Sequence, residues 1–167
     1  MTSVTYKNIV SLCIRMKEFE LAEQLMLKYK HIVHRSERES IFEFNQARIL
    51  KEKGNIRQAL LLLNSNRYKD PLIDLHVRIE LIKIYYEINE ENLLHSQILS
   101  IIRFVNKAGR FGSHKIYYLN FIRFVQSLIS IRDKQSSIRK NNKILLQIKN
   151  EPDLIERAWL VQVASSL

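Results

Sequence analysis

Three glycines and two prolines in 167 residues set the tightest limit on what this chain can become. Strand-rich folds reverse direction every ten residues or so and draw on these two residue types to do it. A chain so poor in turn-makers reverses seldom, and its elements are long. Leu, Ile, Lys, Arg, Glu and Gln are frequent, and most of these are good helix formers. The expected fold class is all-α. Hydrophobic residues at 46% and charged residues at 26% suit a globular chain with a real core. A single domain over 1–167 is the expectation at this length.

Apolar residues recur at helical spacing almost throughout, and nine helices are predicted. The first four cover 3–16, 18–33, 37–53 and 55–66. Asp70-Pro71 opens the fifth, with Asp as the cap and Pro in the first turn, and it runs to 88. The sixth covers 90–108 and ends at Gly109. The seventh follows Ser113 and ends near Arg132, and the eighth covers 135–149. Asn150-Glu151-Pro152-Asp153 breaks the chain and starts a last helix through Trp159. Short loops make sequential helices antiparallel neighbours.

Within this pattern one spacing repeats. Ala47 and Leu50 lie seven and four residues before Gly54, and Ala59 and Leu63 lie five and nine after it. Small residues let two helices approach, large ones fill the gap between them, and Gly makes the turn. The spacing recurs upstream as Val10, Cys13, Lys17, Ala22 and Met26, and downstream as Tyr85, Asn89, Leu94 and Ile98. Gly54 is expected at positive φ, which a residue without a Cβ tolerates. Asn89 is a reasonable substitute for Gly there.

Residues 3–103 therefore resemble the tetratricopeptide repeat (TPR), with leucine in place of both aromatics. YYEINEENLL (85–94), YLNFIRFVQSL (118–128) and AWLVQVASSL (158–167) resemble the C-terminal region of bacterial TPR proteins, mostly from Bacteroidetes. The resemblance implies three degenerate helix pairs stacked as a short right-handed α-solenoid, closed by longer capping helices over 113–167. It also implies that upstream repeats are missing from this chain. A cap is physically reasonable, because the end of a stacked array exposes an apolar face. Tyr117, Phe121, Phe124, Leu128 and Ile131 form a stripe read as core, and Trp159 is read as buried with them.

A TPR-like array implies a protein-interaction scaffold that binds a protein or peptide in a groove lined by the first helix of each pair. The candidate groove residues are Lys7, Ile41, Phe44, Asn45, Arg48 and Glu52. Some repeat proteins of this kind grip a C-terminal carboxylate with lysines, asparagines and an arginine. Lys7 and Asn45 fall at matching places and read as ordinary surface residues. Ser11, His76 and Glu80 replace an asparagine, a lysine and the arginine. An acid at Glu80 repels a carboxylate, so that clamp is not expected.

The formal charge of +10 comes from one segment. Residues 103–149 hold eleven basic side chains against Asp133 alone. Arg103, Lys107, Arg110, Arg139, Lys140 and Lys143 are the candidate basic surface. A bland solubilising face is one reading; nucleic acid or another acidic surface is the alternative partner.

Catalytic and metal signatures are not found in the sequence. Cys13 stands alone between Leu12 and Ile14 and reads as a core thiol, which leaves no intrachain disulfide or thiolate cluster. His31 and His34 lie three apart without a flanking acid, and the metalloprotease pattern needs a spacing of four with Glu. Gly109 and Gly112 lack the Lys-Ser/Thr ending of a phosphate loop. Acids in the first ninety residues interleave with Lys and Arg and read as a solvated face. The chain is expected to be non-enzymatic, with no cofactor and no metal. No apolar run approaches a membrane span, and no signal-peptide pattern opens the chain. It reads as cytoplasmic, unless cut from a longer exported protein.

Overall fold

The computed structural model describes residues 2–65, 68, 70–107, 109–133 and 138–167, with the backbone alone at 3, 65, 109, 110 and 138. Among the described residues every regular element is helical: α1 (Ser3–Arg15), α2 (Phe19–Tyr29), α3 (Arg35–Glu52), α4 (Ile56–Ser65), α5 (Pro71–Glu87), α6 (Glu91–Lys107), α7 (Lys115–Asp133), α8 (Ile138–Asn150) and α9 (Arg157–Ser166). Short 3₁₀ stretches follow α2 at Lys30–Ile32 and precede α7 at Gly109–His114. No described helix is long and apolar enough to cross a membrane. The chain forms two compact units, Met1–Gln97 and Ile98–Leu167.

In the first unit α1 packs on α2 and α3 on α4, while α1 also meets α3 and α3 meets α5. The second helix of each pair touches the first of the next, α2 on α3 and α4 on α5. Three turns have one geometry. Lys17 (φ 63), Gly54 (φ 82) and Asn89 (φ 57) all take the left-handed conformation. Each donates its N–H three residues back, to Ile14, Lys51 and Tyr86 respectively. The next residue donates five back, from Glu18 to Cys13, from Asn55 to Leu50 and from Glu90 to Tyr85. This pair of bonds satisfies carbonyls that the helix end would otherwise orphan. The following helix begins at the same register each time, with Ala22, Ala59 and Leu94 donating to Glu18, Asn55 and Glu90.

Burial follows that register. Val10, Ala22, Ala47, Ala59 and Leu94 are all at most 1% exposed, so the small positions lie where helices approach most closely. Ile82, seven residues before Asn89, is also fully buried and completes the third set. Cys13 and Met26 are in the core as the sequence indicates. Asp70 caps α5 through Oδ1, which accepts from Leu72 N–H (3.0 Å) and Ile73 N–H (2.9 Å), with Pro71 at the first helical position.

In the second unit α7 packs on α8 and α9, and α8 packs on α9. Phe121, Phe124 and Leu128 are buried, and so are Tyr118, Ile122 and Val125 on the adjoining face. Tyr117 and Ile131, expected in the same stripe, are only half-buried. Trp159 is 9% exposed and lies 6.1 Å from Phe121, ring to ring.

The last helix starts later than the sequence suggests. Residues 151–156 are irregular, and α9 begins at Arg157 after Glu156 in the left-handed conformation (φ 53). Arg157 explains the shift. Its guanidinium donates to the carbonyls of Ile148 (3.0 Å), Lys149 (2.6 Å) and Glu151, closing the C-terminal end of α8. Asn120 of α7 fixes the same loop by donating to the carbonyl of Asp153 (2.9 Å).

Candidate functional site

The first helices of the first unit carry a row of polar contacts from α1 through α3 to α5. Lys7 of α1 meets Glu37 of α3 at 3.3 Å. Arg48 of α3 donates through Nη1 and Nη2 to Ser11 Oγ, each at 3.2 Å, and reaches Asn45 Oδ1 at 3.5 Å. Its Nε lies 3.7 Å from Glu80 Oε1 of α5. Lys83, one turn along, donates to the same Glu80 oxygen at 2.9 Å. Lys51 of α3 pairs with Glu87 of α5 at 3.0 Å.

Glu80 is the centre of this row and is 5% exposed. Burial alone raises a carboxyl pKa. Here Lys83, Arg48 and Lys51 outweigh that effect and hold Glu80 below its ordinary value, as a buried carboxylate. The expectation of a solvated acidic face therefore fails at Glu80. Lys51 and Lys83, each 8% exposed, fail it in the same way. Buried charges of this kind persist only when paired.

Beside the row, Phe44 of α3 stacks on His76 of α5, with ring centroids 6.2 Å apart and planes 21° off parallel. The Arg48 guanidinium lies 5.6 Å over the Phe44 ring. Phe44 and Arg48 are half-buried and His76 is exposed. Together they form an open patch with an aromatic floor and a fixed cation.

The groove assignment from sequence is therefore corrected in part. Phe44 and Arg48 stand at the open patch, Lys7 stands along the row at α1, and Glu52 is exposed near the end of α3. Ile41 and Asn45 are each 5% exposed. Both are buried and offer no side chain to a ligand, so Asn45 is not a surface residue. Lys51 and Lys83 were not singled out for this site, and Ser11 and His76 entered only as departures from the carboxylate clamp. A signal for three of the contacts was present in the repeat: Ser11, Arg48 and Lys83 each lie six residues before a turn residue.

The basic surface divides between two helices. Arg103 and Lys107 are exposed four residues apart on α6, and Arg139, Lys140 and Lys143 are exposed on α8. The Arg110 side chain lies outside the described residues. Between α7 and α8 a groove of about 400 Å³ is bordered by Phe124, Ile144, Leu146 and the Arg123–Glu151 ion pair, which is 2.6 Å long. Tyr117 is held above its ordinary pKa, first by a hydrogen bond to Asp153 and then by that carboxylate's charge. Among the described residues no group of three or more His, Cys, Asp or Glu is placed to hold a metal ion. Cys13 is a buried free thiol.

Comparison with family models, with curated proteins and with solved structures gives no match to this chain. The site is thus read from its own geometry.

Proposed function

We propose that this chain is a non-enzymatic protein-interaction module, a short TPR-like solenoid that holds a peptide or partner helix along its first helices. The observation that carries this reading is the Phe44–His76–Arg48 patch. Its rings are stacked across two neighbouring helices, and its cation is held by Ser11 and Glu80. A preorganised aromatic and arginine surface loses little entropy on binding and is the usual composition of an interaction hot spot. The patch suits an apolar side chain over the rings, with a polar group toward Arg48. Glu80 already faces Arg48, which disfavours a terminal carboxylate there.

A random peptide library selected on the immobilised protein tests the reading. Selected peptides are expected to lose at least tenfold in affinity, roughly 1.4 kcal/mol, on Phe44→Glu. Arg48→Glu should weaken them similarly. Peptides that bind both variants as they bind the parent would overturn the groove assignment.

A second reading rests on the exposed cations of α6 and α8. Among the described residues Arg103, Lys107, Arg139, Lys140 and Lys143 make no ion pair. Nucleic acid bound there would dissociate steeply with salt, because phosphate contacts release counterions. Titration of labelled RNA and DNA at two salt concentrations decides it, and no binding at low salt would remove this alternative.

A further inference from the structure

In the second unit the acids are engaged and the cations of α8 are not. Asp133 lies 3.5 Å from Arg132, Glu151 lies 2.6 Å from Arg123, and Asp153 accepts a hydrogen bond from Tyr117. None of these three carboxylates pairs with α8, where Arg139, Lys140 and Lys143 are exposed and make no ion pair among the described residues. The three cations stand near the N-terminal end of their helix, the end that favours acids, and the first turn of α8 holds no acid. Arg139 and Lys143, four residues apart, also repel each other. The same helix face leads into the groove between α7 and α8. Helical spacing sets Lys140, Ile144, Gln147 and Glu151 in one line, with Lys143 beside Gln147 and Asn150. Phe124 and Ile144 are the buried floor of this groove of about 400 Å³, and Leu146, 60% exposed, stands at its rim. Arg123 and Glu151 neutralise each other at one end. Lys140 and Lys143 lie toward the other.

We infer that the α7–α8 groove binds an acidic peptide segment that carries one large apolar side chain. The apolar side chain packs between Phe124, Ile144 and Leu146. Gln147 and Asn150 are exposed, and their amides supply both donors and acceptors to the peptide main chain. Acids of the peptide meet Lys140 and Lys143 and relieve the repulsion along α8. One helical turn, about 5.4 Å, separates Ile144 from Lys140, and an extended peptide spans that distance in about two residues. Charge and shape together select a peptide over nucleic acid. Phe124, the aromatic bordering the groove, is 3% exposed and offers no ring face to a base, and Glu151 at the groove's end repels phosphate. This site lies in the second unit, is separate from the Phe44 patch and does not rest on the reading of the first unit.

The test selects a displayed peptide library rich in Asp and Glu on the full chain. Selected peptides are expected to share an apolar anchor and to bind at least about tenfold tighter than an oligoglutamate of the same length. They should shift the amide resonances of Ser127, Gln147 and Asn150. Joint Lys140→Glu and Lys143→Glu should weaken them at least about tenfold, and Leu146→Asp about fivefold. All three side chains are exposed, so these variants keep the fold, which circular dichroism checks. Phe44→Glu should leave the affinity unchanged, which separates this site from the patch on α3 and α5. Failure to enrich any peptide would overturn the inference, as would undiminished binding to the charge-reversed variant. So would resonance shifts confined to α3 and α5. Equal affinity for the oligoglutamate, or for a single-stranded DNA of the same charge, would reduce the site to a general polyanion surface and overturn it too.

Discussion

Residues 1–97 and 98–167 hold their helices by different means. In the first unit each described pair reverses through a backbone motif that needs no side chain: two N–H groups close the helix end at Lys17, Gly54 and Asn89 alike. Charged side chains are then left to act sideways, tying α3 to α5 through Arg48–Glu80 and Lys51–Glu87. In the second unit the reversal from α8 to α9 rests on side chains: the Arg157 guanidinium fans over the carbonyls that end α8, and Asn120 holds the loop at Asp153. Most of the remaining cations face water. The net charge of +10 therefore gives little guide to where charge is structurally engaged. The buried acid and the three cations around it lie in the first unit, whereas the basic segment lies in the second.

Substitution of Glu80 is expected to have the largest effect. Glu80→Gln keeps the shape but leaves Arg48, Lys51 and Lys83 facing an uncharged amide, at a cost of about 3 kcal/mol. The pH dependence has a definite sign. Folded Glu80 binds its proton more weakly than the unfolded residue, whose ordinary value is 4.5. Its stabilisation is present above that pH and is lost as the pH falls through the lower folded value. Urea denaturation from pH 7 down to pH 3 should show a steeper acid loss in the parent than in Glu80→Gln. Parallel curves would mean that Glu80 is not the charge that binds α3 to α5.

Arg157→Met is the matching change in the second unit. It removes the donors to three carbonyls at the end of α8, and losing the bonds of one charged group costs about 2 kcal/mol. Hydrogen exchange should localise the loosening to α8, α9 and the 151–156 loop, with α3 and α5 unaffected. Equal loosening of α3 and α5 would erase the distinction between the two units.

The sequence showed the helices and the turns more readily than the site. Gly54 is visible because Gly is rare here and its φ is permissive. Asn89 is visible because Asn tolerates the same conformation. Lys17 is visible only by counting from the other two, since lysine has no preference for positive φ. Ile41 and Asn45 were misplaced because a helical wheel shows that a face exists without showing which neighbour covers it. Glu80, Lys51 and Lys83 were read as solvated because interleaved charges have one pattern in sequence, whether they point to water or to each other. Arg157 was hidden for a related reason: its partners are main-chain carbonyls, which carry no residue signature.

The three turns offer the finest comparison, because geometry is fixed while the residue varies. A left-handed residue with a Cβ costs about 1–2 kcal/mol relative to glycine. Lys17 bears that cost at φ 63, and Gly54 avoids it at φ 82. Lys17→Gly should therefore stabilise the chain by about 1 kcal/mol, part of the gain being offset by the freer unfolded chain. Gly54→Val should lose about 1–2 kcal/mol. A Cβ built at Gly54 meets no atom within 4 Å, so the Cβ itself adds no crowding to that conformational loss. Asn89→Gly should change least, since asparagine already tolerates the left-handed region. Thermal melts of the three variants give the ordering directly. A destabilised Lys17→Gly would mean that the lysine contributes something beyond the turn, and the backbone account of the first unit would then fail at that pair.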